Sequence, residues 1–306
     1  MRLRGIISLF GTAAAGWSQD NALRLSAALA YYAVFSLAPL LMIAISVASL
    51  VFGEAAARGQ IAGQIRQLAG DRAAEAIQGL VLSTRHKSLF ATTLGLVILL
   101  FGASGAFGEL KSALNTIWGV AIKPGRPLLT MVRERFISFA MVLAVGFLLL
   151  VSLILSAILA ALGTSMGKLL PVPGALWQGT DFVLSLAVVT LLFAMIFKLL
   201  PNVVLRLRDV WIGAACTAFL FTVGKFLIGL YLGTSGATSY YGAAGSLIII
   251  LLWVYYSACI LFFGAEFTKA YALKYGSGVV PDKRAELLTG VQRNDAGGGD
   301  SRRSTF

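Results

Sequence analysis

The chain has 306 residues, 58% of them hydrophobic and only 12% charged, where a soluble domain carries about 45–50% and about 25%. Water is therefore not its main solvent, and the continuous apolar runs imply one polytopic unit rather than two soluble domains. The net charge of +12 speaks to where the loops sit, because lysine and arginine gather on the cytoplasmic side of membrane proteins, and it gives little support to nucleic-acid binding.

Residues 1–24 begin with Arg2 and Arg4, but the apolar core Gly5–Phe10 is shorter than the roughly 7–15 residues of a secretory signal. Leu3, Ile6, Ile7, Phe10 and Trp17 recur at helical spacing, which predicts an interfacial helix on the cytoplasmic surface. The first span, 25–53, is uncharged and holds Ser36 and Pro39 near its middle. Pro39 removes an amide and frees the carbonyl of Phe35, with Ser36 close enough to help satisfy it, so a kink is expected. A tolerated membrane proline and a functional hinge both fit.

An outer loop, 54–87, follows, with two short amphipathic helices separated at Gly70-Asp71. The second span, 88–108, ends in a run of small residues from Gly102 to Gly108 that lets another helix approach closely. Glu109, Leu110, Leu114, Ile117 and Trp118 continue as an amphipathic helix until Lys123-Pro124-Gly125-Arg126-Pro127 forces a turn. The third, fourth and fifth spans are 136–163, 182–200 and 210–233, and the fifth contains Lys225.

The sixth span, 243–270, lies in the most distinctive stretch of the chain, from Ser239 to Lys274. The 23 residues from Ala243 to Ala265 carry no charge, about 35 Å of helix. From residue 276 to 306 glycine, aspartate, arginine and serine dominate, which predicts a disordered tail. The reading is thus an all-α polytopic membrane protein with six transmembrane helices and accompanying interfacial helices. With both termini inside, the cytoplasmic segments hold 18 of the 25 lysines and arginines and the opposite side holds 6, which favours cytoplasmic termini in a bacterial inner membrane.

No constellation of catalytic residues is present. His86, the only histidine, sits between Arg85 and Lys87, and the 13 acidic residues are scattered, so no metal set, cofactor site or nucleophile pattern is identified. The chain is not read as an enzyme. Cys216 and Cys259 both fall in apolar runs, where packing is the expected role.

Lys225 is the one charge well inside a span, and intramembrane charges are candidate functional sites. Snorkelling to the outer headgroups or pairing with Asp181 competes with a role as counter-charge to an anionic headgroup or carboxylate. The helix directions place Glu266 near the opposite interface, about 20 Å away by helix rise, so it is expected to meet Lys269 or a loop cation instead. Trp253, Tyr255 and Tyr256 sit mid-span, where their polar tips need partners in the bundle. The candidate substrate-binding residues are Lys225, Tyr241, Ser246 and Tyr255. The candidate structural or gating residues are Ser36, Pro39, Gly242, Gly245, Trp253 and Glu266.

Several segments together are similar to one family. They are Ala30-Tyr31-Tyr32 with Ser36–Leu40, Asn115–Gly119, Leu200-Pro201 with Trp211–Ala214, Lys225 with Tyr231-Leu232, Tyr241–Ser246, Trp253–Tyr255 and Gly264–Glu266. In this order, over residues 17–275, the chain resembles the YihY or virulence factor BrkB family of bacterial inner-membrane proteins, once labelled ribonuclease BN. The resemblance implies a six-helix membrane protein with envelope or lipid-related roles. The ribonuclease label needs metal ligands that this sequence lacks. The expected function is transport or flipping of an anionic amphiphile or lipid, and a non-transporting envelope scaffold is the alternative. The expected partners are membrane lipids and the amphiphile, with a second copy of the chain or envelope proteins left open, and no nucleic acid.

Overall fold

Three unbroken apolar stretches form helices long enough to cross a bilayer, because only a helix or a closed barrel satisfies every backbone amide in hydrocarbon. The computed structural model describes residues 3–35, 59, 63, 66, 75, 105–123, 174–234, 243–276 and 278–288. In chain order the helices are α1 (Leu3–Gln19), α2 (Ala22–Phe35), α3 (residues 105–118), α4 (Gly174–Leu199), α5 (Leu207–Thr234) and α6 (Ala243–Tyr275). The three long ones have 26, 28 and 33 residues, about 39, 42 and 50 Å at the usual rise. They take up the fourth, fifth and sixth expected spans, with α6 running five residues past its expected end. The rest of the first span, most of the second, the third span and nearly all of the outer loop lie outside the described residues.

Within these helices the hydroxyls bond to their own backbone. Thr190 donates to the carbonyl of Leu186 at 2.7 Å, Thr222 to that of Ala218 at 2.8 Å and Ser257 to that of Trp253 at 2.8 Å, so these three hydroxyls need no water. α5 packs between α4 and α6, and α1 packs on α6. A shared core joins Phe193 and Phe197 of α4, Ala214 and Ala218 of α5, and Phe262 and Ala265 of α6 to Leu25 of α2 and Trp118 of α3.

α1 runs antiparallel to the C-terminal half of α6: Gly5 lies against Tyr275, Gly16 against Glu266, and the indole N–H of Trp17 donates to the carbonyl of Cys259 at 3.3 Å. The packed stripe is Gly5, Leu9, Ala13 and Gly16, with Leu9 and Ala13 buried beside Phe267, Ala270 and Tyr271. Phe10 and Trp17 of the stripe expected from the sequence join this contact, but Ile7 is 64% exposed. Small residues win the seam because close backbone approach, not hydrophobicity, holds apolar helices together in lipid.

One end of the bundle departs from the all-α expectation. Strands β1 (Val120–Ile122), β2 (Val203–Val204), β3 (Val280–Pro281) and β4 (Ala285–Leu287) form two antiparallel pairs, β1 with β4 and β2 with β3. The register sets Val120 opposite Leu287 and Val203 opposite Pro281. Residues 278–288 fall in the stretch read from composition as a disordered tail. They are instead tied back across the bundle, because pairing through backbone groups depends little on side-chain composition. Two glycines make the turns: Gly119 ends α3 at a φ of 66°, and Gly278 follows α6 at 74° while donating to the carbonyl of Ala272. Both occupy the left-handed region, where glycine carries no Cβ penalty.

Candidate functional site

α5 and α6 are antiparallel, and their closest approach is built from reciprocal glycine and threonine contacts. Gly213 of α5 faces Thr268 of α6, and Gly264 of α6 faces Thr217 of α5. Further along, the absent side chain of Gly224 leaves room for Tyr256 and Ile260, whose nearest atoms are 2.8 and 2.6 Å from where a Cβ would stand. This order of contacts sets the depth of every residue along the pair.

Lys225 follows Gly224 and is half-buried. It lies on the stripe Ala214, Ala218, Phe221, Lys225 and Ile228, whose spacings of three and four place them on one helix face. Ala214, Ala218 and Ile228 are buried. Phe221 meets Phe193 of α4 at 5.7 Å and Trp253 of α6 at 6.3 Å, both edge-on. Lys225 therefore belongs to the inward face of α5, whereas Phe219, Val223, Phe226 and Leu230 make the exposed apolar face.

The other expected site residues are only partly gathered around it. The register of Gly213 with Thr268 and Thr217 with Gly264 sets Lys225 level with Tyr256, so Ser246, in the first turn of α6, is about 15 Å away along the axis. Gly245 shares that first turn. Trp253 packs on Phe221. Tyr255, two residues on, is turned about 200° from Trp253 around the helix and interacts with Cys259. Ser36, Pro39, Tyr241 and Gly242 lie outside the described residues. Among the described residues no group of three or more histidines, cysteines, aspartates or glutamates is placed to hold a metal ion, and Cys216 and Cys259 are free thiols.

Glu266 lies about 15 Å from the level of Lys225 by helix rise, and it forms the expected contact with Lys269, Nζ to Oε2 at 3.2 Å. The sequence reading missed Asp20, whose Oδ2 lies 3.5 Å from the same ammonium. Asp20 sits between α1 and α2 beside Asn21, which has a φ of 50°. A second missed pair is Asn115 and Asn202. The Asn115 amide donates to Asn202 Oδ1 at 3.1 Å, and the Asn202 backbone N–H donates to Asn115 Oδ1 at 2.8 Å.

A family model described as virulence factor BrkB matches residues 13–287. The chain belongs to the virulence factor BrkB family. The match takes in Asp20, Lys225 and Glu266 and ends on Leu287, the last residue of β4, so the paired strands fall inside the BrkB match. Among curated relatives, a UPF0761 membrane protein of Chromobacterium violaceum is 28% identical over 86% of this chain and 61% of its own length. One from Pseudomonas aeruginosa is 30% identical over 80% of the chain and 58% of its own length. Another, from Alteromonas mediterranea, is 27% identical over 85% and 86%. This BrkB-family chain thus spans about three fifths of the length of the first two relatives. All three are named as membrane proteins, not as enzymes. No solved structure matches significantly.

Proposed function

We propose that the protein is a six-helix transporter of the bacterial inner membrane, flippase-like and acting on an anionic amphiphile or lipid, with both termini in the cytoplasm and no catalytic residue of its own. The observation that carries this reading is the place of Lys225, a cation on the inward stripe of an apolar helix. An ammonium at the bilayer centre costs about 2.5–3.5 kcal/mol on insertion scales. A lysine kept only to snorkel would sit as well on the outward face, beside Phe226 or Leu230. Placed inward, it offers a counter-charge to an anionic headgroup passing along the α4, α5 and α6 surfaces. The orientation is supported by the exposed Arg24, Arg206, Arg208, Lys274 and Lys283, the last of which lies in the strand-bearing segment, as expected of a cytoplasmic face.

The test is transbilayer movement of a fluorescent phosphatidylglycerol in liposomes holding the purified protein. Lys225→Met is expected to lower the rate at least tenfold while insertion and thermal unfolding stay unchanged, and Lys225→Arg is expected to keep most of it. A stably inserted Lys225→Met protein that moves the lipid at the wild-type rate overturns the role of Lys225.

A further inference from the structure

Asp20 and Glu266 are 246 residues apart in sequence, yet they meet where α1 gives way to α2 along the flank of α6. Each is only 2% exposed. Lys269 reaches both, at 3.5 Å from Asp20 Oδ2 and 3.2 Å from Glu266 Oε2. The shared ammonium holds the two carboxyls as neighbours. The remaining oxygen of the glutamate, Oε1, is buried without a hydrogen-bond partner.

The glutamate is held against bare backbone: a Cβ on Gly16 would stand 2.5 Å from Oε2 and 2.9 Å from the carboxyl carbon. Water is therefore kept from that side by the main chain of α1. The charged groups acting on Glu266 are Lys269 from its own helix and Asp20 from the α1–α2 junction. Arg24 lies one turn beyond Asp20 on α2, and α5 brings Ile212 and the Cys216 thiol to the neighbouring apolar cluster. A buried carboxylate oxygen with no donor, next to a second carboxyl, is a costly arrangement unless something positive occupies the gap. The smallest occupant is a proton, which turns the clash of two acceptors into a donor and an acceptor.

We propose that Asp20 and Glu266 bind a single proton between them, so that the junction of α1 and α2 is a proton-binding site. The site forms from α1, α2 and α6 alone and does not depend on the transport reading. Its position at a helix break with a left-handed Asn21 places protonation where the angle between α1 and α2 is set.

The measurement is infrared spectroscopy of the full-length protein in lipid nanodiscs at about pH 7, following the carbonyl stretch of a protonated carboxyl. The expected result is a band in the wild type that is lost in both Glu266→Gln and Asp20→Asn, because each variant removes one member of the sharing pair. Absence of the band from the wild type overturns the proposal, and this outcome needs no variant to fold. A band that survives both substitutions belongs to another carboxyl and overturns it too. Lipid movement in liposomes is read separately, so failure of the transport reading leaves these outcomes unaffected.

Discussion

Gly213→Ala is expected to stop α5 and α6 from closing to their native separation and to lower the thermal stability of the purified protein sharply. A Cβ on Gly213 would stand 2.6 Å from Thr268 Cβ and 2.7 Å from its methyl, and one on Gly264 would meet Thr217 at 2.7 and 2.6 Å. The threonines cannot simply rotate away. Thr217 donates to the carbonyl of Gly213 at 2.7 Å and Thr268 to that of Gly264 at 2.6 Å, so each hydroxyl is pinned to the glycine carbonyl of its own helix in a rotamer that sets both its oxygen and its methyl against the glycine opposite. Relief therefore has to come from backbone movement. Overpacking usually costs about 1–3 kcal/mol, and a rigid seam between two helices is expected at or above the upper end. Apolar helices in lipid have no hydrophobic drive to restore the contact. The check is the unfolding temperature of Gly213→Ala beside Gly213→Ala/Thr268→Gly. The double variant moves the gap to the other helix and should recover more than half of the loss. No recovery would mean that Gly213 is needed for its own backbone rather than for the approach of α6.

The same seam shows which parts of the fold could be read from the sequence. Long uncharged runs report spans because the bilayer leaves a chain few other options, so α5 lies within three residues of its expected limits, while α4 starts eight residues early and α6 ends five residues late. The contact of Glu266 with Lys269 was also readable, since residues three apart share a helix face. Asp20 was not, because its partners lie 246 and 249 positions away and no periodicity spans that distance. The seam of α1 on α6 was not readable for a related reason. The apolar spacing of Leu3, Ile6, Ile7 and Phe10 predicts an amphipathic helix, but it does not say that Gly5, Leu9, Ala13 and Gly16 take the seam with a helix some 250 positions away while Ile6 and Ile7 stay exposed. The four strands are two or three residues long, too short for alternation to register, and they pair through backbone groups that composition does not report. For the candidate site, Lys225 was visible as a lone charge, but its inward orientation emerged only from the burial of Ala214, Ala218 and Ile228.

Asn115→Ala is expected to destabilise the strand-bearing end of the bundle by about 2–6 kcal/mol, because it strands two buried groups at about 1–3 kcal/mol each. Asn202 follows Pro201 in the connection between α4 and α5, just outside β2, so its N–H has no ladder partner and is taken by Asn115 Oδ1. Its side-chain oxygen is held by the Asn115 amide, and both residues are buried. The carbonyl of Asn202 accepts from the backbone of Asp282 at 2.9 Å, so the same residue anchors the strand segment that follows α6. Removing the Asn115 amide should therefore loosen residues 278–288 as well as the connection. Asn115→Asp keeps an acceptor for the Asn202 N–H but replaces the donor with a second acceptor facing Asn202 Oδ1, so it is not expected to rescue. The readout is trypsin cleavage after Lys283 and Arg284 in the membrane-embedded protein, expected to quicken at least tenfold in Asn115→Ala. Unchanged cleavage would assign the hold on this segment to the strand pairing and its flanking bonds, Lys123 N–H to the Arg284 carbonyl and Leu288 N–H to the Gly119 carbonyl.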